Sequence, residues 1–504
     1  MPSDVAPALT IIWHPDPSRI GAMFSFADLA EGQAISLSRL SPAFSAYADS
    51  PGPLADFFLS RKPCLKFIRT KNGVRIVPVT TDIPVQIDGQ TLSREVTLPS
   101  DPVRSFTLTL ARRIVLCLHA AAPPARSPSD DLGLLGHGDA INTVRRAVRS
   151  VADLDIPVLI RGETGTGKEL TAVAIAKASR RADKPFVAIN MASLPPTMAV
   201  AEMFGHEKGA FTDAADSRKG YFLEADGGTL FLDEIGLAIP DVQNALLRVL
   251  ETGELRSLGS RRGRAVNVRV IAATDVQLEE RVRAGVFSEP LFHRLSSFQI
   301  HLAPLRERRQ DIGVLFLHFL KAILKETGDL SKLQLPVTAK RPWLTGDVMT
   351  QVALAPWPGN VRQLRNFAIQ LAVANRGASA AHLDPTLLSL LAAPVHGVSD
   401  PAAGAPKTEG QGPLAGRAPI SHDRLLDALE RNDFKIASAS RDLGISRTTM
   451  YALIRRDPEL RKASDITDAE LGRLRDECQG DLDQLAKRLR VSLRALQLRM
   501  RRSA

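Results

Sequence analysis

Gly162-Glu163-Thr164-Gly165-Thr166-Gly167-Lys168-Glu169 follows the apolar run Val158-Leu159-Ile160, and Gly227-Gly228-Thr229-Leu230-Phe231-Leu232-Asp233-Glu234 comes later in the chain. The first stretch reads as a phosphate-cradling loop, because glycines let successive backbone N–H groups turn toward phosphate oxygens with no Cβ in the way. Lys168 adds a point charge at the N-terminus of the helix that follows, where anions are already favoured. The second stretch is an apolar strand ending in two adjacent carboxylates. Asp233 is expected to hold Mg²⁺ and Glu234 to orient an attacking water. A glycine-rich loop alone is weak evidence. Loop and acidic strand end, in this order, point to a nucleotide-binding domain.

Outward from the loop, strands and helices alternate. A helical stretch over 168–180 leads to the strand Phe186–Ile189, and the Leu230–Leu232 strand precedes a helix with Val242, Ala245, Leu246, Val249 and Leu250 on one face. A further strand spans Val268–Ala272. This order predicts a parallel sheet with crossover helices. Residues 120–131 and 393–420 are rich in Pro, Ala and Gly and read as linkers, since they hold too little apolar surface to offset their ordering entropy. The fold class is therefore multidomain, with blocks at 1–119, 132–392 and 421–504. In the first block, Leu65–Ile68, Val74–Val79, Val85–Ile87, Phe106–Leu110 and Ile114–Leu118 predict a β-sandwich. The last block is helical and repeats itself: Ile436–Arg456 is echoed at 482–502, offset by 46 residues.

A chain of 504 residues is too long for one core. With 44% hydrophobic and 24% charged residues it has the composition of ordinary globular domains. No apolar run approaches the roughly 18 residues of a membrane helix, and the N-terminus lacks a signal-peptide pattern. The three cysteines, Cys64, Cys117 and Cys478, lie too far apart in sequence to suggest a disulfide framework or a metal site. Cytoplasm is the expected location. A formal charge of +10 hints at a polyanionic partner.

The middle block resembles the AAA+ ATPase domain of bacterial enhancer-binding proteins, the activators of sigma-54 RNA polymerase. Besides the loop and Asp233-Glu234, the resemblance rests on Gly205-His206-Glu207-Lys208-Gly209-Ala210-Phe211-Thr212, on Pro304-Leu305-Arg306-Glu307-Arg308, and on Trp357-Pro358-Gly359-Asn360-Val361-Arg362. It implies an α/β P-loop ATPase with a helical lid that binds ATP and Mg²⁺ and hydrolyses ATP to remodel sigma-54 holoenzyme for promoter opening. It further implies that ATP lies on residues 162–169, with Thr274 as first sensor and Arg362 as second, and that Asn190 holds Glu234 as a switch. Phe211 and Thr212 would touch sigma-54. Arg294 would be an arginine finger acting on a neighbouring subunit, which requires a ring, with a hexamer as the expected active form; its alternative is a surface ion pair. Glu169 stands where phosphate loops in general have Ser or Thr, as is usual in this family, and removes a hydroxyl that would coordinate Mg²⁺.

Three positions depart from the family pattern. Asp213 replaces the second glycine of Gly-Ala-Phe-Thr-Gly-Ala, Ser288 stands where a second trans-acting arginine is usual, and Asp275 replaces Asn after Thr274. Two readings follow: a working sigma-54 activator with a modified loop, or an ATP-binding, DNA-binding regulator with weak or no sigma-54 activation. No acceptor-substrate signature accompanies the loop, which sets a metabolic kinase or GTPase aside.

Ile436–Arg456 resembles the Fis-type helix-turn-helix that these activators carry, with Gly444 at the turn, Ser446 as cap, and Arg447, Thr448, Thr449, Tyr451 and Arg455 facing DNA at an upstream activating sequence. The echo at 482–502 ends in 18 residues with seven Lys or Arg and no acid, either a second DNA-contacting unit or a basic packing helix. The first block resembles a forkhead-associated domain, implying a phosphothreonine protein as partner, with Arg39 and Ser60 at the phosphate; the alternative is a domain that serves dimerisation or holds the ring inactive. It departs from that pattern at Ser38, Pro63 and Asp88-Gly89. A bacterial, nucleoid-associated, cytoplasmic regulator with no membrane partner is the expectation that results.

Overall fold

The computed structural model describes residues 5–45, 51–80, 82–101, 104–122, 131–209, 217–260, 262–333, 342–392 and 422–432, with 434, 439, 442, 450, 484, 485 and 496. The chain forms two compact units, Met1–Ser399 and Asp400–Ala504.

The first unit begins with a β-sandwich. Its strands are β1 (Ala6–Trp13), β2 (Met23–Ser25), β3 (Ala34–Leu37), β4 (Leu65–Thr70), β5 (Gly73–Pro78), β6 (Val85–Ile87), β7 (Gln90–Thr91), β8 (Val96–Pro99), β9 (Phe106–Leu110) and β10 (Ile114–Ala121). One sheet runs β2-β1-β10-β9-β6-β7 and the other β3-β4-β5-β8. The Asp88-Gly89 turn between β6 and β7 puts both residues in the left-handed region, at φ 48° and 79°. Asp tolerates this better than most side chains, and here its Oδ1 is tied down by Thr107 N–H and Oγ1–H at 2.8 and 2.9 Å.

The ATPase-like part follows. Its elements are α1 (Asp139–Val151), β11 (Val158–Arg161), α2 (Lys168–Lys177), β12 (Phe186–Asn190), α3 (Ala199–Phe204), α4 (Tyr221–Glu224), β13 (Thr229–Asp233), α5 (Pro240–Thr252), β14 (Glu254–Leu255), β15 (Arg264–Ala265), β16 (Arg269–Thr274), α6 (Leu278–Arg283), α7 (Glu289–Leu295) and β17 (Phe298–His301). β12-β13-β16-β11-β17 form the parallel sheet that the alternation predicts. α5 opens with proline in its first turn and closes on Gly253 at φ 69°, and it buries Val242, Leu246 and Val249 against the sheet. The lid is helical: α8 (Ile312–Glu326), α9 (Gly346–Leu354), α10 (Asn360–Ala374) and α11 (Pro385–Leu391).

The sandwich and the lid share one core. β1 and β10 read as near-continuous apolar runs, the mark of strands buried on both faces. Along β1, Leu9 and Ile11 face the sandwich interior while Ile12 and Trp13 pack with the lid residues Phe316, Met349 and Trp357. Along β10, Leu116 and Leu118 face inward and Val115 and Cys117 face the lid. Polar contacts fix the register: Gly346 N–H donates to Arg112 O at 2.8 Å, Arg112 pairs with Asp347 at 2.7 Å, and the Thr109 and Thr350 hydroxyls share a hydrogen bond. Cys64 and Cys117 are free, buried thiols. β10 runs to Ala121, into the stretch whose composition reads as linker.

In the second unit, α12 (His422–Arg431) is amphipathic, with Leu425, Ala428 and Leu429 buried. Ala439 and Met450 are buried, and so are Leu485 and Leu496, at the same 46-residue offset that the internal echo carries. No described helix is long and apolar enough to cross a membrane.

Candidate functional site

β11, β13 and β16 are neighbours in parallel register, so the residues at their C-terminal ends meet at one edge, the place where open α/β sheets bind ligands. Asn190 ends β12 opposite Asp233, and Thr274 ends β16 opposite Arg161. The loop 162–167 leaves β11 here and runs into α2. Gly162 N–H donates to Thr274 O at 3.2 Å. Gly165 and Gly167 hold φ of 80° and 109°, conformations that favour glycine. Lys168 is buried, and its Nζ donates to Gly162 O at 2.9 Å. Glu169 is exposed in the first turn of α2, where its charge suits the helix dipole.

Asp233 Oδ1 accepts the Glu234 N–H at 3.0 Å. Glu234 itself sits at φ 56°, a strained conformation for a residue with a Cβ and the kind of outlier that gathers at functional sites. Burial pushes its carboxyl above the usual carboxylate range, Asp275 and Asp233 push it further, and Lys168 and Arg362 oppose them. Five charged groups from four segments therefore share one corner. Among the described residues no three acidic, histidine or cysteine side chains stand close enough to hold a metal ion by themselves, so a divalent cation here would need phosphate oxygens to complete its shell. Asp275, the departure from Asn, accepts a hydrogen bond from Thr164 Oγ1 at 2.8 Å and so ties the loop to the end of β16.

Asn190 Oδ1 accepts from Ala192 N–H at 2.8 Å, and among the described residues no hydrogen bond joins it to Glu234. Thr274 is buried, its Oγ1 accepting from Val276 N–H. Arg362 lies in the first turn of α10, and its Cβ would be 3.0 Å from a Cβ built on Gly165. Arg294 is on α7, where Nε and Nη2 donate to Leu250 O at 3.2 and 2.8 Å, and among the described residues it forms no ion pair. Ser288 is the N-cap of α7: its Oγ accepts from Leu291 N–H, and its own N–H donates to Gln243 Oε1 at 2.7 Å. Ser288→Arg would therefore cost about 0.5–2 kcal/mol of cap energy and place a cation at a helix N-terminus. Thermal unfolding of that variant is expected to shift down by about 2–6 °C, and an unchanged midpoint would remove the cap from the account.

Phe211, Thr212 and Asp213 lie outside the described residues. Their flanks form a closed base, with backbone hydrogen bonds between His206 and Arg218 in both directions at 3.1 and 3.0 Å. Arg447, Thr448, Thr449, Tyr451 and Arg455 also lie outside the described residues.

Two residues of the quoted motifs, Arg306 and Asn360, meet the phosphate loop, a contact that sequence alone does not reveal. Arg306 grips Glu163 with two hydrogen bonds, at 2.8 and 2.6 Å, and holds its carboxyl below the usual carboxylate range. Asn360, buried at φ 50°, donates from Nδ2 to Glu163 Oε2 and to Thr164 O, both at 3.1 Å. On the sandwich, Arg39 N–H donates to Ser60 O at 2.9 Å, and the Arg39 guanidinium lies 3.9 Å over the exposed Phe57 ring. Beneath that loop, Asp56 pairs with Arg113 at 3.1 Å, both buried.

Comparison with known proteins adds the following. The family model described as the sigma-54 interaction domain matches residues 134–301, the AAA+ ATPase lid domain matches 306–390, and the Fis family of bacterial regulatory proteins matches 417–456. The DNA-binding transcriptional regulator NtrC of Escherichia coli K12 is 48% identical over 250 residues, 50% of this chain and 51% of that one. The nitric oxide reductase transcription regulator NorR1 of Cupriavidus necator is 36% identical over 72% of this chain and 71% of its own length. The transcriptional regulatory protein ZraR of Salmonella typhimurium is 36% identical over 69% of this chain and 74% of its own. The match to NtrC thus spans about half of that relative's length.

Proposed function

Because the chain belongs to the sigma-54-dependent enhancer-binding regulators, we propose that it binds ATP with Mg²⁺ on residues 162–169 and couples ATP hydrolysis to promoter opening by sigma-54 RNA polymerase. The observation that carries this reading is the sheet edge where the glycine loop with the buried Lys168 meets the Asp233-Glu234 strand end, with Lys168 and Arg362 both acting on the Glu234 carboxyl. Mg²⁺, when bound, neutralises charge on the triphosphate. Lys168 binds the β and γ oxygens, Asp233 holds the cation, Glu234 orients the attacking water, and Arg362 reports phosphate occupancy to the lid. Asn190 is the switch on Glu234 and Thr274 the first sensor. Arg294 acts on the neighbouring subunit of a hexamer, and its release from Leu250 O frees the guanidinium for that role. Phe211 and Thr212 touch sigma-54. Arg447, Thr448, Thr449, Tyr451 and Arg455 read DNA upstream of the promoter, and the buried echo at Leu485 and Leu496 supports a second unit of the same kind.

The sandwich would receive the input. Arg39 and Ser60 share one loop apex above the buried Asp56–Arg113 pair, an arrangement that supports a phosphothreonine protein as its partner.

One observation favours the second reading, a DNA-binding scaffold with little activation: Ser288 serves α7 as a cap where the family has an arginine. The test is open-complex formation by sigma-54 holoenzyme on a supercoiled promoter, with the full chain, ATP and Mg²⁺, and Lys168→Ala as control. The full chain is required because a fragment starting after the sandwich would expose the lid face that covers Ile12 and Trp13. ATP-dependent opening that the control lacks is the expected result. ATP hydrolysis without opening would establish the scaffold instead.

A further inference from the structure

Four consecutive residues of the phosphate loop are gripped from the lid side. Glu163 is held by Arg306 and Asn360, and the Thr164 carbonyl by Asn360. The Gly165 carbonyl accepts from Val361 N–H at 3.0 Å, and the Thr166 carbonyl from Arg308 Nη2 at 3.0 Å. A phosphate cradle uses backbone N–H groups, so none of these acceptors competes with a nucleotide. The fit is close: a Cβ on Gly165 would stand 2.4 Å from Gly359 O. Asn360 also accepts from Leu305 N–H at 2.8 Å, so one amide joins the loop, the 305–308 segment and the start of α10. Arg362 follows two residues later in the same helix turn.

We propose that Glu163 is a positioning residue for ATP hydrolysis: through Arg306 and Asn360 it seats the lid on the phosphate loop and thereby sets where Arg362 stands. The proposal rests on the nucleotide site described above. Its physical logic has two parts. A bare carboxylate beside a triphosphate would repel it, and Arg306 cancels that charge while turning it into a two-pronged clamp. The pair is roughly a third exposed on each side, with side-chain exposures of 35% and 41%, so it contributes little to global stability. Its value is geometric, because a shift of about 1 Å in a phosphate-contacting group can cost about 10²-fold in rate.

The experiment compares steady-state ATP hydrolysis and thermal unfolding of the full chain carrying Glu163→Ala, Glu163→Gln, Arg306→Ala or the Glu163→Ala/Arg306→Ala pair, with Lys168→Ala as control. Glu163→Ala should lower kcat by about 10- to 100-fold with a midpoint of unfolding within about 2 °C of wild type. Glu163→Gln keeps a single acceptor oxygen, which in the place of Oε2 can serve Asn360 and one Arg306 prong while its amide N–H2 meets the other prong, and should restore activity in part, to a level between Glu163→Ala and wild type. Arg306→Ala, which leaves the carboxylate uncancelled, should lower kcat more than either Glu163 change, and the double variant should be no worse than it. A Glu163→Ala enzyme within about threefold of wild type, with Lys168→Ala inactive, overturns the proposal and leaves the nucleotide site standing. Independent, additive losses from Glu163 and Arg306 overturn it as well. Wild-type hydrolysis by Lys168→Ala would remove the nucleotide site on which the proposal rests.

Discussion

Glu234→Gln is expected to leave ATP bound and to slow its hydrolysis by about 10²–10⁴-fold, the usual contribution of a positioned acid or base. The amide keeps the size of the side chain and its place at the end of β13, so the strained backbone at φ 56° should persist. What disappears is the carboxylate that would accept a proton from water. The surrounding charges sharpen the expectation: Asp275 and Asp233 raise the carboxyl, and Lys168 and Arg362 draw it down. Neutralising Glu234 relieves repulsion in that corner, and nucleotide affinity should hold or improve. Lys168→Ala differs in kind, because it removes a buried cation from the loop itself and should weaken binding. Steady-state hydrolysis beside equilibrium binding of a fluorescent ATP analogue separates the two. A Glu234→Gln enzyme that retains more than about a tenth of wild-type turnover would assign the water-orienting role elsewhere.

The second large effect concerns the joint between sandwich and lid. Gly313 lies in α8, and a Cβ there would stand 2.0 Å from the carbonyl oxygen of Ile12 and 2.7 Å from its carbon. Both are backbone atoms of β1, a strand held by β2 and β10, so no side chain can rotate to relieve the clash. Gly313→Ala gains about 1 kcal/mol of helix propensity and loses about 1–3 kcal/mol or more to overpacking at an interface without slack. The loss should win and lower the unfolding midpoint by about 2–8 °C. Gly346→Ala offers an independent check, since its Cβ would lie 2.7 Å from the backbone of Arg112 and Arg113. Intrinsic fluorescence is a selective probe here: Trp13, Trp343 and Trp357 are the chain's three tryptophans, and all belong to this shared core. A red-shifted emission with an early transition is expected for both variants. Wild-type emission and midpoint in both would mean that the strand and the lid are not packed as described.

The nucleotide site was legible in order along the chain because its parts are local: a glycine loop, a lysine at a helix start, carboxylates at a strand end. Backbone geometry needs those residue types at those spacings, and the parallel sheet brings 162–168, 233–234 and 274 together with no further information. The β-strands of the sandwich could be read for the same reason at Val85–Ile87 and Phe106–Leu110. The short pieces Met23–Ser25 and Gln90–Thr91 carry too few residues for a pattern to emerge.

Partnership across distance was not legible. Glu163, Arg306 and Asn360 each stood in a quoted motif, yet nothing in the spacing says that a loop carboxylate turns away from the phosphates toward the lid. Ser288 looked like a lost arginine, and only the fold makes it the cap of α7. The union of sandwich and lid had one signal, the missing polar alternation in Ala6–Trp13 and Ile114–Ala121, which reveals strands buried on both faces but not what covers the second face. Local chemistry is written residue by residue; which surfaces bury one another depends on shape, and shape exists only once the chain has closed on itself.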